Sequence, residues 1–202
     1  TMNHAGVRAV GDVMASSMSD LGMAIEWIDM PPEMARAGHL VARKGGSGAR
    51  FLLIGHLDTV FEADDSFQAF IREGNVATGP GISDMKSGNV VLVYALKALD
   101  AIGALEDIPI AIVFTGDEEK PGKPLDVARK DLIDAGKWAD IALGFEGAIT
   151  TEDADWATVA RRSSSSWILE TTGTQAHSSA IFSESVGAGA INEAARILSR
   201  FY

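Results

Sequence analysis

The sequence has 202 residues, 47% of them hydrophobic and 22% charged, which is the composition of a globular protein with at least one substantial core. Its net charge of −11 argues against nucleic acid as a partner, because binding to a phosphate backbone requires clustered lysine and arginine. The absence of cysteine excludes disulfides and thiolate metal sites, and it leaves the compartment undetermined.

The N-terminal residues predict a helix rather than a targeting segment. Thr1 and Asn3 are both suitable N-caps, and the residues after them lack the basic start and apolar middle of a signal peptide. A long apolar stretch at residues 90–105 is interrupted by Lys97 and Asp100, so we expect no membrane association. Localisation, cytoplasmic or periplasmic, stays open because we expect the natural start of the protein to precede Thr1.

Strands and helices alternate along the first 160 residues. The predicted elements are, in chain order, a helix with its following turn at 7–23, strands at 23–30, 39–44 and 51–54, a hairpin at 73–75, a helix at 87–102, a strand at 108–116, a helix at 126–136 and a strand at 139–145. This alternation predicts an α/β fold with a mixed, largely parallel sheet flanked by helices.

The composition changes near residue 160, which predicts a domain boundary. One strand at 160–173 and one helix at 185–202 follow, and these are too few elements to bury a core of their own. We therefore expect a first domain over residues 1–160 and the incomplete start of a second domain over residues 161–202.

Carboxylates and a histidine follow the strong strands or precede the long helix. These residues are His56 and Asp58 after FLLIG, Asp84 before the helix, Asp117, Glu118 and Glu119 after IPIAIVFTG, and Glu146 after ADIALGF. In an open α/β sheet, ligands bind outside the carboxyl ends of the strands, so these side chains are expected at one edge. So many like charges repel one another unless cations lie among them, and divalent metals are the simplest candidates.

Each of these residues taken alone also has an ordinary structural explanation. His56 alone is more often a hydrogen-bonded structural histidine, and Asp84 in a glycine-rich loop is more often a turn or helix cap. A run such as Asp117–Glu119 is commonly a solvated strand end, and Glu146 by itself indicates little. Their joint placement after consecutive strands favours the metal site.

Four motifs, GHLDTV, GPGISDMKSG, TGDEE and GFEG, occur in this order over roughly residues 50–150. Together they resemble the di-zinc metallopeptidase family of aminoacylases, glutamate carboxypeptidases and succinyl-diaminopimelate desuccinylase, and especially its glutamate carboxypeptidase branch. A fifth segment, GTQAHSS, resembles the start of that family's lid domain. The resemblance implies a zinc-exopeptidase-like catalytic domain, then the first strand and helix of an α+β lid that forms a homodimer.

The resemblance also assigns metal ligands by residue. His56 and Glu146 would bind the first metal, and Asp84 would bridge both metals, with an Asp84–Met85 peptide that is often cis in this family. Asp58 would orient His56 through the other ring nitrogen.

The remaining roles implied by the resemblance concern the second metal and the chemistry. Glu119 would bind the second metal, and Glu118 would be the general base that takes a proton from a water between the metals and passes it to the leaving amine. His177 would donate to the oxyanion across the dimer. The family's last ligand is a histidine near the C-terminus, and none of His4, His39 and His177 fits that position.

The implied function is hydrolysis of amide bonds in peptides or N-acyl amino acids, foremost as a carboxypeptidase. In the family, a glutamate at the position of Glu146 accompanies acylase and carboxypeptidase activity more than aminopeptidase activity. Two Zn²⁺ ions are the implied cofactors, and Mn²⁺ or Co²⁺ would also suit histidine and carboxylate ligands. Two alternatives stay open: a truncated, inactive fragment that binds metal or a partner, and an aminopeptidase or dipeptidase of the same fold.

Overall fold

A computed structural model describes residues 1–201 and divides the chain into two compact units, with the division after Ala157. The helices and strands of the first unit are α1 His4–Ser19, β1 Ala24–Ile28, β2 His39–Lys44, β3 Phe51–His56, β4 Ile71–Glu73, β5 Val76–Thr78, α2 Ser87–Ala101, β6 Ile110–Thr115, α3 Leu125–Ala128, α4 Lys130–Trp138, β7 Ile141–Gly144, β8 Ile149–Thr150 and β9 Asp155–Trp156. The second unit contains the helix α5 Ala190–Leu198. Within residues 1–201, every helix falls short of the length or apolar character that crossing a membrane requires.

Five strands form the central sheet, in the order β1, β2, β6, β3, β7. β3 pairs in parallel with β6 on one side and with β7 on the other, while β1 and β2 extend the sheet in antiparallel orientation. The predicted mixed α/β fold is therefore confirmed. The parallel alignment brings the carboxyl ends of β3, β6 and β7 to one edge of the sheet.

Helices cover both faces of the sheet, which explains the continuous apolar runs in its strands. All six residues of β6 are buried. Ile112 and Phe114 belong to the larger core together with residues of α1 and α2. Ala111 and Val113, which alternate with them, pack on the other face with Ala135 of α4.

The N-terminal helix begins as its sequence predicts. The Asn3 side-chain oxygen accepts a hydrogen bond from the Gly6 N–H at 3.0 Å, so Asn3 is the N-cap of α1. The apolar side of α1 then places Val7, Met14 and Met18 in the larger core.

The helix predicted over residues 126–136 is instead two helices, α3 and α4, with a break at Arg129. The backbone of Arg129 leaves helical geometry, with φ −113° and ψ 7°. Its guanidinium donates to the buried carboxylate of Asp117 at 2.6 Å. Helical periodicity is a local signal, so it does not reveal a break that accompanies a long-range ion pair.

In the second unit, the strand predicted over residues 160–173 is wrong, because those residues form neither strand nor helix. Trp167 and Ile168 are 88% and 96% exposed. A strand needs a neighbour for its backbone hydrogen bonds, and local sequence does not supply one. The helix α5 begins at Ala190 rather than at 185, because Gly187 and Gly189 have positive φ of 76° and 82°. That this unit is a lid and dimerisation domain stays a prediction.

Candidate metal centre

Three predicted ligands, His56, Asp84 and Glu146, come together at the carboxyl edge of the parallel strands. His56 is the last residue of β3, Glu146 follows β7 by two residues, and Asp84 lies in the turn before α2. One ligand atom from each lies within 4.8 Å of the other two. Three separate segments therefore converge on a space suited to one cation.

The start of α2 and the turn before it position two of these ligands, His56 and Asp84. Asn89 donates its amide to the backbone carbonyl of His56 at 2.7 Å, and the His56 N–H donates to the sulfur of Met85 at 3.2 Å. The peptide between Asp84 and Met85 is cis, as the resemblance implies. Met85 is buried, whereas the side chain of Asp84 is 64% exposed. The turn is therefore anchored by Met85, and it presents Asp84 to solvent.

Gly88 allows the close approach between α2 and the end of β7. A Cβ on Gly88 would lie 1.8 Å from the carbonyl oxygen of Phe145. Phe145 is itself tied to β3, since its N–H donates to the Ile54 carbonyl at 3.3 Å. Glycine at this position therefore helps to keep Glu146 beside the other two ligands.

The imidazole of His56 is buried, and both of its nitrogens have partners. Nδ1 donates to the backbone carbonyl of Asp58 at 3.0 Å, and Nε2 lies 3.0 Å from Asp84 Oδ1 and 3.6 Å from Glu146 Oε1. Burial lowers the pKa of His56, but the hydrogen bonds and charges of these acids outweigh burial and raise the pKa to about 9. The Nε2 proton thus lies where a metal ion would be held by imidazole and two carboxylates.

Asp58 connects His56 to the segment that carries Glu118 and Glu119. Its Oδ1 accepts the Glu118 N–H at 3.0 Å and its Oδ2 accepts the Glu119 N–H at 3.2 Å, while the Thr1 hydroxyl donates to Oδ2 at 2.6 Å. Burial raises the pKa of Asp58, but hydrogen bonds from His56, Thr1 and the Glu118 N–H outweigh burial and lower it. Asp58 Oδ1 lies 3.4 Å from His56 Nδ1, so the imidazole is oriented by both the backbone and the carboxylate of Asp58.

Glu118 and Glu119 follow β6 and lie near the same charges. Burial raises the pKa of Glu119 and of Glu146, and the charges of Asp84 and Glu118 raise both further. The carboxylates of Asp84, Glu119 and Glu146 beside one imidazole are a donor set that fits a divalent cation such as zinc. Glu119 stands outside the tight group of three, so the structure gathers three of the four predicted metal ligands most closely.

A cavity of about 420 Å³ adjoins this cluster. Asp84 and Glu119 lie in its wall, and Phe61, Phe67 and Ile82 give it apolar surface. The two phenylalanine rings contact each other with centroids 4.9 Å apart. A small molecule held at the carboxylates can therefore place an apolar group in this cavity.

His177 lies in the second compact unit and is exposed. Its Nδ1 accepts the Ser179 N–H at 3.2 Å, which places the proton of the neutral imidazole on Nε2. Nε2 is therefore a hydrogen-bond donor.

From the sequence, roles were assigned to Glu118 and Glu119 but none to Asp117, the first of the three consecutive acids after β6. Asp117 is fully buried and bonds to Arg129, whereas Glu118 is exposed. No local signal in TGDEE distinguishes them. Asn89 and Gly88 were also missed, since both lie inside what the sequence presents as an ordinary helix.

The fold and the cluster define an α/β domain with a candidate metal site, an arrangement found in metal-dependent hydrolases. The chain belongs to Peptidase family M20/M25/M40, whose sequence profile matches residues 52–197. It is 33% identical over 144 residues to carboxypeptidase G2 of Pseudomonas sp., covering 70% of this chain and 34% of that protein. It is 30% identical over 176 residues to succinyl-diaminopimelate desuccinylase of Delftia acidovorans, covering 82% of this chain and 45% of that enzyme. The chain thus spans a third to a half of the length of these curated relatives.

Solved structures share the fold at low sequence identity. Human carnosine dipeptidase 1 matches with a TM-score of 0.53 and 19% identity, covering 81% of this chain and 34% of that one. Aminopeptidase PepT from Bacillus cereus matches with a TM-score of 0.51 and 17% identity, covering 66% of this chain and 36% of that one. These similarities concern the fold alone.

Proposed function

We propose that this chain supplies the metal-binding and acid–base groups of a hydrolase that cleaves amide bonds in peptides or N-acyl amino acids. The observation that carries the proposal is the convergence of His56, Asp84 and Glu146 within 4.8 Å at the edge where Glu118 and Glu119 also lie. His56, Asp84 and Glu146 would hold one zinc ion, and Asp84 with Glu119 would hold a second. Metal bound there supplies a Lewis acid for the amide carbonyl and lowers the pKa of water.

His56 is prepared for ligation by its hydrogen bond to Asp58. Because Nδ1 donates to the Asp58 carbonyl, loss of the second ring proton leaves the lone pair on Nε2, which faces Asp84 and Glu146. The ring cannot turn away without breaking this hydrogen bond in a buried position. Once the second ring proton is displaced, the chain offers an imidazole of fixed orientation whose Nε2 lone pair faces the two carboxylates.

Glu118 is the proposed general base. Its backbone N–H is held by Asp58 at 3.0 Å, while its side chain is on the exposed side of the segment. Its charge raises the pKa of both Glu119 and Glu146, which supports a role beside the cluster. Glu118 can accept a proton from water and return it to the leaving amine.

We extend the proposal to a homodimer in which His177 donates to the oxyanion. The hydrogen bond from Ser179 N–H to His177 Nδ1 supports this role, because it leaves Nε2 protonated in the neutral ring. In the whole protein, His177→Ala is expected to lower kcat while zinc content persists. Full activity in that variant would remove His177 from the mechanism.

The substrate that we propose first is a peptide or N-acyl amino acid with a free terminal carboxylate, the kind of molecule that a carboxypeptidase cleaves. The 33% identity to carboxypeptidase G2 supports it, and succinyl-diaminopimelate desuccinylase is a relative with a different named activity. The apolar cavity beside Asp84 supports an apolar group next to the cleaved bond. An aminopeptidase or dipeptidase of the same fold is the alternative, and activity toward free-amine dipeptides alone would favour it.

The proposal is tested by combining zinc titration with turnover. Zinc binding by this chain, measured calorimetrically, is expected to be lost in His56→Ala and weakened in Glu146→Gln. In the whole protein, Glu118→Gln is expected to keep its zinc and lose turnover of N-acyl amino acids by at least about 100-fold. Asp140→Asn serves as the control. Asp140 pairs with Arg50, which directly precedes the N-terminal end of β3, and the cluster lies at the other end of that strand. Zinc binding without turnover in the whole wild-type protein would favour the inactive metal-binding alternative.

A further inference from the structure

Asp117 is a buried carboxylate that lies next to the proposed base but has a separate set of partners. Its side chain is 0% exposed. Oδ1 accepts from Arg129 Nη1 at 2.6 Å, and Oδ2 accepts from the Gly122 N–H at 2.7 Å. Arg129 Nη2 also donates to the backbone carbonyl of Asp117 at 3.0 Å. The guanidinium of Arg129 therefore donates hydrogen bonds to both the side chain and the main chain of Asp117.

The neighbouring His39 directs its hydrogen bonds to the main chain rather than to Asp117. The Gly116 N–H donates to His39 Nδ1 at 3.2 Å, so Nδ1 is an acceptor and the ring proton lies on Nε2. Nε2 donates to the Ala128 carbonyl at 2.7 Å. His39 Nδ1 lies 4.0 Å from Asp117 Oδ1, whereas Arg129 Nη1 lies 2.6 Å from it, so Arg129 supplies the hydrogen-bonded positive charge that faces Asp117.

The segment from Gly116 to Gly122 is held from two sides by two different carboxylates. Asp117, through Arg129 and Gly122, fixes the ends of the segment. Asp58 accepts the N–H groups of Glu118 and Glu119 in its middle, at 3.0 and 3.2 Å. The main chain is consequently fixed on both sides of the two functional glutamates.

The position of Arg129 supports a dedicated role. Its backbone conformation interrupts what would otherwise be one helix, so that α3 and α4 meet at the residue that reaches Asp117. The Arg129 side chain is only 15% exposed and that of Asp117 is fully buried, so the pair is largely protected from solvent. Arg129 therefore connects the start of α4 to the segment that carries Glu118 and Glu119.

We propose that Asp117 and Arg129 are positioning residues that hold the Glu118–Glu119 segment in register with the metal cluster. The inference rests on the proposed function, because the segment matters for catalysis only if Glu118 and Glu119 have their assigned roles. Asp117 and Arg129 lie outside the group of His56, Asp84 and Glu146 that could hold a metal ion. They act through the backbone of the two glutamates.

Three variants separate charge from geometry. Arg129→Met removes the guanidinium and keeps an unbranched side chain, whereas Arg129→Lys keeps the charge without the fork of donors. Asp117→Asn keeps the shape but turns an amide donor toward Arg129 or the Gly122 N–H. The matched control is Asp140→Asn, which breaks a pair with an N–O distance of 2.7 Å at the other end of β3.

The first measurement uses amide hydrogen exchange by NMR in the metal-free chain. In Arg129→Met and Asp117→Asn, the Glu118 and Glu119 amides are expected to exchange about tenfold faster, while the core amide of Val113 keeps its protection. Arg129→Lys is expected to lie between these variants and wild type, and it remains informative if Arg129→Met does not fold. Asp140→Asn is expected to leave the Glu118 and Glu119 amides unchanged.

The second measurement is zinc affinity, followed by kinetics of the whole protein. Zinc binding is expected to weaken by about 10- to 100-fold, the range for residues that support metal ligands. The kcat is expected to fall while KM holds, because Glu118 is displaced and substrate contacts are not. Arg129→Lys is expected to recover part of both losses.

The outcomes distinguish the positioning role from the proposed function. Unchanged exchange at Glu118 and Glu119 in all three variants would overturn the positioning role. Equal acceleration at Val113 would also overturn it, because the pair would then support the whole fold. If wild type bound no zinc while the two amides responded as expected, the proposed function would fail and the positioning of the segment would stand.

Discussion

Replacing Gly88 by alanine tests whether close packing between α2 and β7 builds the metal centre. The added Cβ would lie 1.8 Å from the Phe145 carbonyl oxygen and 2.9 Å from its carbonyl carbon. An ordinary carbon–oxygen contact is about 3.3 Å, so α2 and the end of β7 must separate by about 1.5 Å. Because Glu146 follows Phe145 directly, its carboxylate moves away from His56 and Asp84.

The magnitude has two opposing parts. Overpacking in a well-packed region costs about 1–3 kcal/mol, and the upper part of that range applies because both contacts are backbone atoms. Alanine in a helix is favoured over glycine by up to about 1 kcal/mol. We therefore expect the free energy of unfolding to fall by about 2 kcal/mol. Displacement of one ligand is expected to weaken zinc binding by about 10- to 100-fold.

The assay compares Gly88→Ala with Gly136→Ala by urea unfolding and zinc titration. Gly136 lies in α4, and a Cβ there meets nothing within 4 Å. Gly136→Ala is therefore expected to raise stability by up to about 1 kcal/mol and to leave zinc affinity unchanged. Wild-type zinc affinity and undiminished stability in Gly88→Ala would refute the packing explanation.

Three further predictions concern the frame around the centre. Leu92→Ala removes a fully buried core side chain and is expected to cost about 2–5 kcal/mol in urea unfolding; a loss below 1 kcal/mol would contradict the packing described for α2. Gly55→Ala would place a Cβ 2.2 Å from Asn89 Oδ1. We expect the free energy of unfolding to fall by about 1–3 kcal/mol and zinc binding to weaken in calorimetry. Wild-type values of both would count against this contact. Hydrogen bonds from Arg50 lower the pKa of Asp140 from 3.8 to about 2, so this pair stabilises the fold fully above about pH 4 and loses its effect as the pH falls through 2. The stability difference between wild type and Asp140→Asn is expected to narrow across that window in acid unfolding, and a constant difference would show that ionisation of Asp140 is not its source.

The strands of the central sheet could be predicted because burial on both faces leaves a direct record in sequence. β3 and β6 are continuous apolar runs, and their boundaries differ from the predicted ones by at most two residues. The strand at 160–173 was wrong because apolar character alone does not provide a pairing partner. The break at Arg129 was missed for a related reason, since its partner Asp117 lies twelve positions away.

The convergence of the candidate ligands could be predicted from the sequence, but most of the contacts that support them could not. His56, Asp84 and Glu146 each follow or precede a strong element, so their convergence follows from the parallel order of the strands. Asp58 was expected to orient His56, and its carboxylate also binds the N–H groups after β6. That second contact joins loops after two different strands, and such contacts depend on exact loop geometry rather than on residue type.

The two-sided contact of Asp58 has a consequence for how substitutions combine. Its backbone carbonyl holds His56, and its carboxylate holds the segment of Glu118 and Glu119. Changes on either side of a shared partner are not additive, and coupling energies of about 0.5–3 kcal/mol are usual for residues in one network. A double-mutant cycle between His56 and Glu119 in the free energy of urea unfolding is therefore expected to fail additivity, and to approach it once Asp58 is replaced. Because Asp58 joins them, His56 and the segment of Glu118 and Glu119 would have to be redesigned together rather than one at a time.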